Sequence, residues 1–173
     1  MIEGVFLHIP GEPQPPIDVR LAAAAAAGVL ASIVAVIAMR AQSNGFVPPF
    51  AVAAALSGRS PSEVSRATAA VVHALAGALA GVAFEGVLIG YERVREPIGI
   101  TVEVVIANLI TLSEVLAVAI VVGALYALFS RFVLPVSGEG AEASGVRRAL
   151  ARSLAVYAVA LLASVTLVFG LLP

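Results

Sequence analysis

The 173-residue sequence has no cysteine, no lysine and no tryptophan, and only 12 % of it is charged. Without cysteine there are no disulfides, thiolate metal sites, iron–sulfur clusters or cysteine nucleophiles. Without lysine, all ten basic residues are arginine; eleven acidic residues bring the net charge to -1, so no basic field draws nucleic acid. A soluble domain carries roughly 25 % charged and about 45–50 % apolar residues. Here the hydrophobic share is 61 %, which excludes a soluble globular domain and a disordered chain alike. Catalytic signatures are missing too: there is no HExxH, nucleophile elbow, P-loop or GxGxxG loop. The expectation is an integral membrane protein that is not an enzyme and carries no cofactor.

What is present is four long apolar segments. A membrane helix needs about 20 mostly apolar residues. Leu21–Met39, about Ala67–Gly90, about Ile100–Phe129 and about Leu150–Leu172 qualify. The third is the longest and is expected to tilt or project from the bilayer. The runs are continuous rather than alternating, so a helical bundle is expected and a β-barrel is not. The first twenty residues hold Pro10, Pro13, Pro15 and Pro16 with Glu3, Glu12 and Asp18. They read as an extended polar tail without the basic start of a secretory signal. Residues 21–173 then form one four-helix transmembrane domain.

The arginines divide unevenly. Arg20, Arg93 and Arg95 fall on one side; Arg40, Arg59, Arg66, Arg131, Arg147, Arg148 and Arg152 fall on the other. The positive-inside rule places the second set in the cytoplasm, in a cell membrane, with both termini outside. Between the first two spans, Phe46-Val47-Pro48-Pro49-Phe50 leads into Ala51–Leu56, too short to span. A short interfacial helix started by Pro49 is expected there. Ser60-Pro61-Ser62-Glu63 carries helix-start chemistry, with Ser60 as N-cap and Glu63 at N3, and places the start of the second membrane helix before it enters lipid. Ser57-Gly58 and Ser137-Gly138, and Leu21 and Thr101, share an offset of 80, as a parallel repeat of two hairpins would.

In lipid, small residues let helix backbones approach. The second span holds Gly77-x-x-x-Gly81 and Gly86-x-x-x-Gly90. Nine positions separate Gly77 from Gly86, so the two pairs face opposite ways and the helix is expected to pack on both sides. Gly28, with Ala24, Ala31, Ser32 and Ala35, offers the first span a matching surface.

Ionisable residues inside spans are functional hypotheses by default. His73, Glu85 and Glu114 qualify, and Glu103 sits at the start of the third span. Glu114 falls near mid-span with Thr111 one turn before it; depth matching sets it level with Gly77 and Gly81, and Glu85 near Asn108. These groups define a staggered polar track, a proton or ion path. The alternative is that each is a satisfied buried polar group clipping two helices together. Metal and haem binding fit poorly. His8 lies in the tail and His73 in a span, so one monomer cannot bring both to one haem; a dimer pairing two copies of His73 is the exception.

The stretch His73-Ala74-Leu75-Ala76-Gly77-Ala78-Leu79-Ala80-Gly81-Val82-Ala83-Phe84 reads H-x-L-x-G-x-x-x-G-x-x-aromatic. It follows a first span, Gly45-Phe46-Val47-Pro48 and Ala55–Gly58. Over residues 21–90 this order resembles small prokaryotic membrane proteins of unknown function, the YagU-like kind. The resemblance implies a small multi-span membrane protein with His73 in a shared pattern, and supplies no activity. Together these readings describe an all-α integral membrane bundle of four transmembrane helices with a short interfacial helix between the first two. Its expected role is that of an accessory or structural subunit in the lipid bilayer, as a homo-oligomer or beside another membrane protein. The alternative is a small oligomeric transporter or channel using Glu114, Glu85 and His73.

Overall fold

The computed structural model describes residues 14–95, 97–99, 104–106, 110–133 and 141–171. Five helices dominate: α1 (Ile17–Arg40), α2 (Val47–Ser57), α3 (Arg66–Arg95), α4 (Leu112–Leu128) and α5 (Ala141–Phe169). Strands β1 (Val105–Ile106) and β2 (Ile110–Thr111) form a small antiparallel hairpin ahead of α4. Helices α1, α3, α5 and α4 with its terminal turn are each long and apolar enough to cross a membrane, and α2 is the short apolar helix between the first two. The fold is therefore the expected all-α membrane bundle.

Pro16 fixes an extended backbone before α1, and Asp18 and Arg40 in its first and last turns complement the helix dipole. α1 and α3 form the tightest pair, through side chains that are nearly absent. A Cβ on Gly28 would collide with the Gly77 carbonyl oxygen, and one on Gly77 would lie 2.6 Å from the Gly28 carbonyl oxygen. A Cβ on Gly81 would strike the Ala24 carbonyl oxygen. Ala24, Ala27, Ala31, Ser32 and Ala35 complete the buried face of α1. The bulk of the core comes from the other helices, with Phe84 and Leu88 on α3 and Leu161, Val165 and Phe169 on α5.

The second glycine pair behaves differently. Gly86 and Gly90 are exposed, and a Cβ on either would meet nothing within 4 Å. Contrary to the expectation of packing on both sides, α3 makes no close contact through that face among the described residues: half a turn of rotation carries the pair away from the bundle.

α2 docks across the end of the bundle where α1 stops. Ala53 and Ala54 pack on Val64 and Ala69, and Ala51 packs with Phe129, Val146 and Leu150. Gly58, at φ 64, closes the helix in the left-handed conformation, and the Arg59 N–H returns to the Ala54 carbonyl. The Glu63 carboxylate accepts from the Ser60 N–H and hydroxyl, both at 2.8 Å, but the turn so fixed is a separate 3-10 turn, Pro61–Glu63. Val64 is extended and buried, which ends the turn. α3 then starts afresh, with the Ser65 hydroxyl accepting from the Thr68 N–H at 3.0 Å.

The third span also starts later than expected. Residues 104–106 are exposed, Val105–Ile106 forms the first strand of the hairpin, and the Leu112 N–H bonds back to the Val104 carbonyl. Hydropathy does not separate these β-branched residues from a helix, whereas Thr111-x-x-Glu114 does. Thr111 is the N-cap, its hydroxyl accepts from the Glu114 N–H at 3.3 Å, and the Glu114 carboxylate accepts from the Thr111 N–H at 2.7 Å. Glu114 thus stands in the first turn of α4, not at mid-span. The element starts are displaced by 95 from α1 to α4 and by 75 from α3 to α5, so the two halves share no constant offset. His8, Glu103, Asn108, Thr101, Ser137 and Gly138 lie outside the described residues.

Candidate functional site

The α1–α3 seam ends in polar contacts on both sides, and its spacing explains them. Gly28 faces Gly77 and Ala24 faces Gly81. Stepping four residues further back along α1 and four forward along α3 brings Arg20 to Glu85. Stepping once the other way brings Ser32 to His73. Both contacts occur. Arg20 Nε donates to Glu85 Oε1 at 2.5 Å, and the Ser32 carbonyl oxygen lies 3.0 Å from His73 Nε2. A carbonyl only accepts, so His73 Nε2 carries the hydrogen there.

The Arg20 end is an ion cluster. Arg20 Nη1 and Nη2 donate to the two oxygens of Glu92, each at 2.9 Å, a bidentate clamp. Glu85 and Glu92 lie two turns apart on one face of α3, so one guanidinium bridges both. Arg20 is 4 % exposed and Glu85 is fully buried. Arg95 lies 5.3 Å from the centre of the Tyr91 ring, a cation–π contact at the same end.

The His73 end is built around two cavities. Tyr157 of α5 donates to the Gly77 carbonyl at 3.0 Å, beside the seam. Gln42, just past α1, donates to Ser153 of α5 at 3.2 Å. Between α1, α3, α4 and α5, above α2, lies an apolar cavity of about 370 Å³ whose polar edge is His73, Ser32, Ser153 and Tyr157. A second, outer groove of about 720 Å³ runs between α1 and α3, with Arg40 and Arg66 at its edge. His73, Ser32, Met39 and Pro49 line both. They mark where α1 and α3 part and α2 begins to fill the gap.

Of the residues singled out in the sequence, Glu85 joins Arg20, His73 joins Ser32, and Glu114 joins Thr111. His73 and Glu85 are twelve residues apart on α3, about 18 Å along the axis. Gly77 and Gly81, closed onto α1, occupy the interval. Among the described residues no group of three His, Asp or Glu side chains is placed to hold a metal ion. Sequence reasoning missed Arg20, Glu92, Tyr157 and Ser153. For Arg20 the signal was present: it precedes Gly28 by two four-residue steps, as Glu85 follows Gly77 by two. Neither a family model, nor a curated protein, nor a solved structure matches this chain.

Proposed function

We propose that this is a non-enzymatic multi-pass protein of the cell membrane, an accessory or structural component whose rigid bundle supports a larger assembly. Both termini face outward, as the arginine asymmetry indicates. The observation carrying this reading is that the ionisable groups of the spans are spent on holding shape. Arg20 bridges Glu85 and Glu92, Glu114 caps α4, and His73 ties α3 to the α1 backbone. A path for protons or ions needs such groups in succession, and here a packed glycine seam intervenes between His73 and Glu85.

A second reading, a small oligomeric transporter, is favoured by one feature: His73 lines both the inner cavity and the outer groove. The two readings separate in proteoliposomes carrying a pH-sensitive dye and an imposed potassium gradient. The accessory role requires acidification no faster than in protein-free vesicles. Flux that is lost in His73→Gln and kept in Glu114→Gln would overturn it in favour of transport.

A further inference from the structure

The outer groove between α1 and α3 has features that neither a structural role nor a proton path requires. Its walls are apolar, from Ile33 and Val36 on α1 to Ala70 and Ala74 on α3. Its edge carries Arg40, from the last turn of α1, and Arg66, from the first turn of α3. The two cations therefore stand at one end of the spans, on either side of one opening. Among the described residues neither makes an ion pair. The surroundings reinforce them: five more of the ten arginines lie at this end, and Glu63, whose carboxylate is occupied by Ser60, is the acidic residue with a described side chain there.

Ile33, near the middle of α1, is 59 % exposed, so the groove opens sideways at the depth of the hydrocarbon. Lipid covers whatever is exposed at that depth. An apolar trench ending in two guanidinium groups that make no ion pair among the described residues matches one component of that lipid: a chain in the trench and an anionic phosphate at its end. Arginine suits the second role because its planar donors fork around phosphate oxygens. We propose that the groove is a binding site for an anionic phospholipid, its phosphate between Arg40 and Arg66 and one acyl chain running along α1 and α3 to His73. Ser32, Met39, Pro49 and His73 are shared with the inner cavity, so the end of the chain reaches the edge of that cavity as well. Anionic lipid is concentrated in the cytoplasmic leaflet, the side on which the positive-inside rule places these arginines.

The test uses the whole protein in mild detergent, offered phosphatidylglycerol or phosphatidylcholine of identical chains, with bound lipid counted by native mass spectrometry. One phosphatidylglycerol is retained under activation that strips phosphatidylcholine. Each arginine near a headgroup contributes about fivefold, so Arg40→Gln with Arg66→Gln lowers the apparent affinity for phosphatidylglycerol about thirtyfold. Arg59→Gln, at the same end but outside the groove, leaves it within about twofold. Ala70→Phe fills the trench and lowers retention of both lipids while helicity by circular dichroism is unchanged.

Equal retention of the two lipids in the unaltered protein overturns the proposal. So does a loss from Arg59→Gln as large as that from the double substitution, which would assign the effect to the diffuse positive field. Displacement of the lipid by millimolar inorganic phosphate overturns it in favour of a free-phosphate site. The inference is independent of the accessory role: proton flux in proteoliposomes would refute that role and leave the lipid count unchanged.

Discussion

Replacing Gly77 by alanine tests whether the α1–α3 seam is held by backbone contact. The new methyl would lie 2.6 Å from both the Gly28 carbonyl oxygen and the Ser32 Cβ, whereas ordinary contact begins at 3.4 Å. α1 must therefore retreat by about 0.8 Å, because neither obstacle is the end of a flexible side chain. That retreat strains the 3.0 Å contact of His73 with the Ser32 carbonyl and forfeits dispersion along the whole seam. Overpacking of this kind costs about 1–3 kcal/mol. It is opposed by alanine's helix preference over glycine, about 1 kcal/mol. Gly28→Ala and Gly81→Ala meet backbone oxygen still more closely and should cost at least as much as Gly77→Ala. Gly86→Ala and Gly90→Ala meet nothing, so the helix preference alone remains and these variants should be neutral or slightly stabilised. The assay is reversible unfolding in mixed micelles titrated with a denaturing detergent, followed by circular dichroism. If Gly77→Ala and Gly86→Ala unfold at the same midpoint, the close-packed seam is refuted.

Three further outcomes follow from the same geometry. Arg20→Met removes the buried cation from beside Glu85 and should destabilise the fold by about 3–5 kcal/mol. Adding Glu85→Leu should recover part of that loss, and strict additivity in the same unfolding assay would show that the pair does not interact. Thr111→Ala should cost about 1 kcal/mol through loss of the α4 cap, whereas Glu114→Gln should cost little, since glutamine also serves at that capping position. A large, pH-dependent loss on Glu114→Gln would contradict the capping role. The Ser60 N–H and hydroxyl hold the Glu63 carboxyl below its ordinary pKa. The turn is thus stabilised above the usual glutamate value and loosens as pH falls through the lowered value; the protection of the Ser60 amide, its exchange relative to the intrinsic rate at the same pH, should fall on acidification and be unchanged by it in Glu63→Gln.

The spans were legible because lipid demands continuous apolar length, and α1, α3 and α5 overlap their expected positions. The small face of α1 was legible for a similar reason: Ala24, Gly28, Ala31, Ser32 and Ala35 recur at helical spacing and are all buried. The start of α4 was misjudged because hydropathy does not distinguish an exposed β-branched hairpin from lipid-facing helix. The Thr111–Glu114 spacing carries that distinction, since it is that of a capping box and so marks a helix start rather than a mid-span charge. The Arg20–Glu85 contact required a register, which a single span does not contain. It follows once Gly28 is set against Gly77 and both helices are counted outward in fours. The two cavities were not readable in any one segment, since they arise where α1 and α3 part and α2 is wedged beneath.

A seam made of alanine, glycine and serine has a weakness that larger side chains would remove. Slid along by one turn, it would still set small residues against small residues, with Gly28 now opposite Gly81 and Ser32 opposite Gly77. Steric fit alone distinguishes the two alignments poorly. The shift would, however, carry Glu85 to Ala24 and break the Arg20 Nε–Glu85 contact, setting a buried carboxylate against a methyl group. The ion cluster at one end of the pair thus works as a stop that selects a single sliding position for the whole seam. The groove and the inner cavity inherit their dimensions from that choice, although the charges that make it lie at the far end of the bundle.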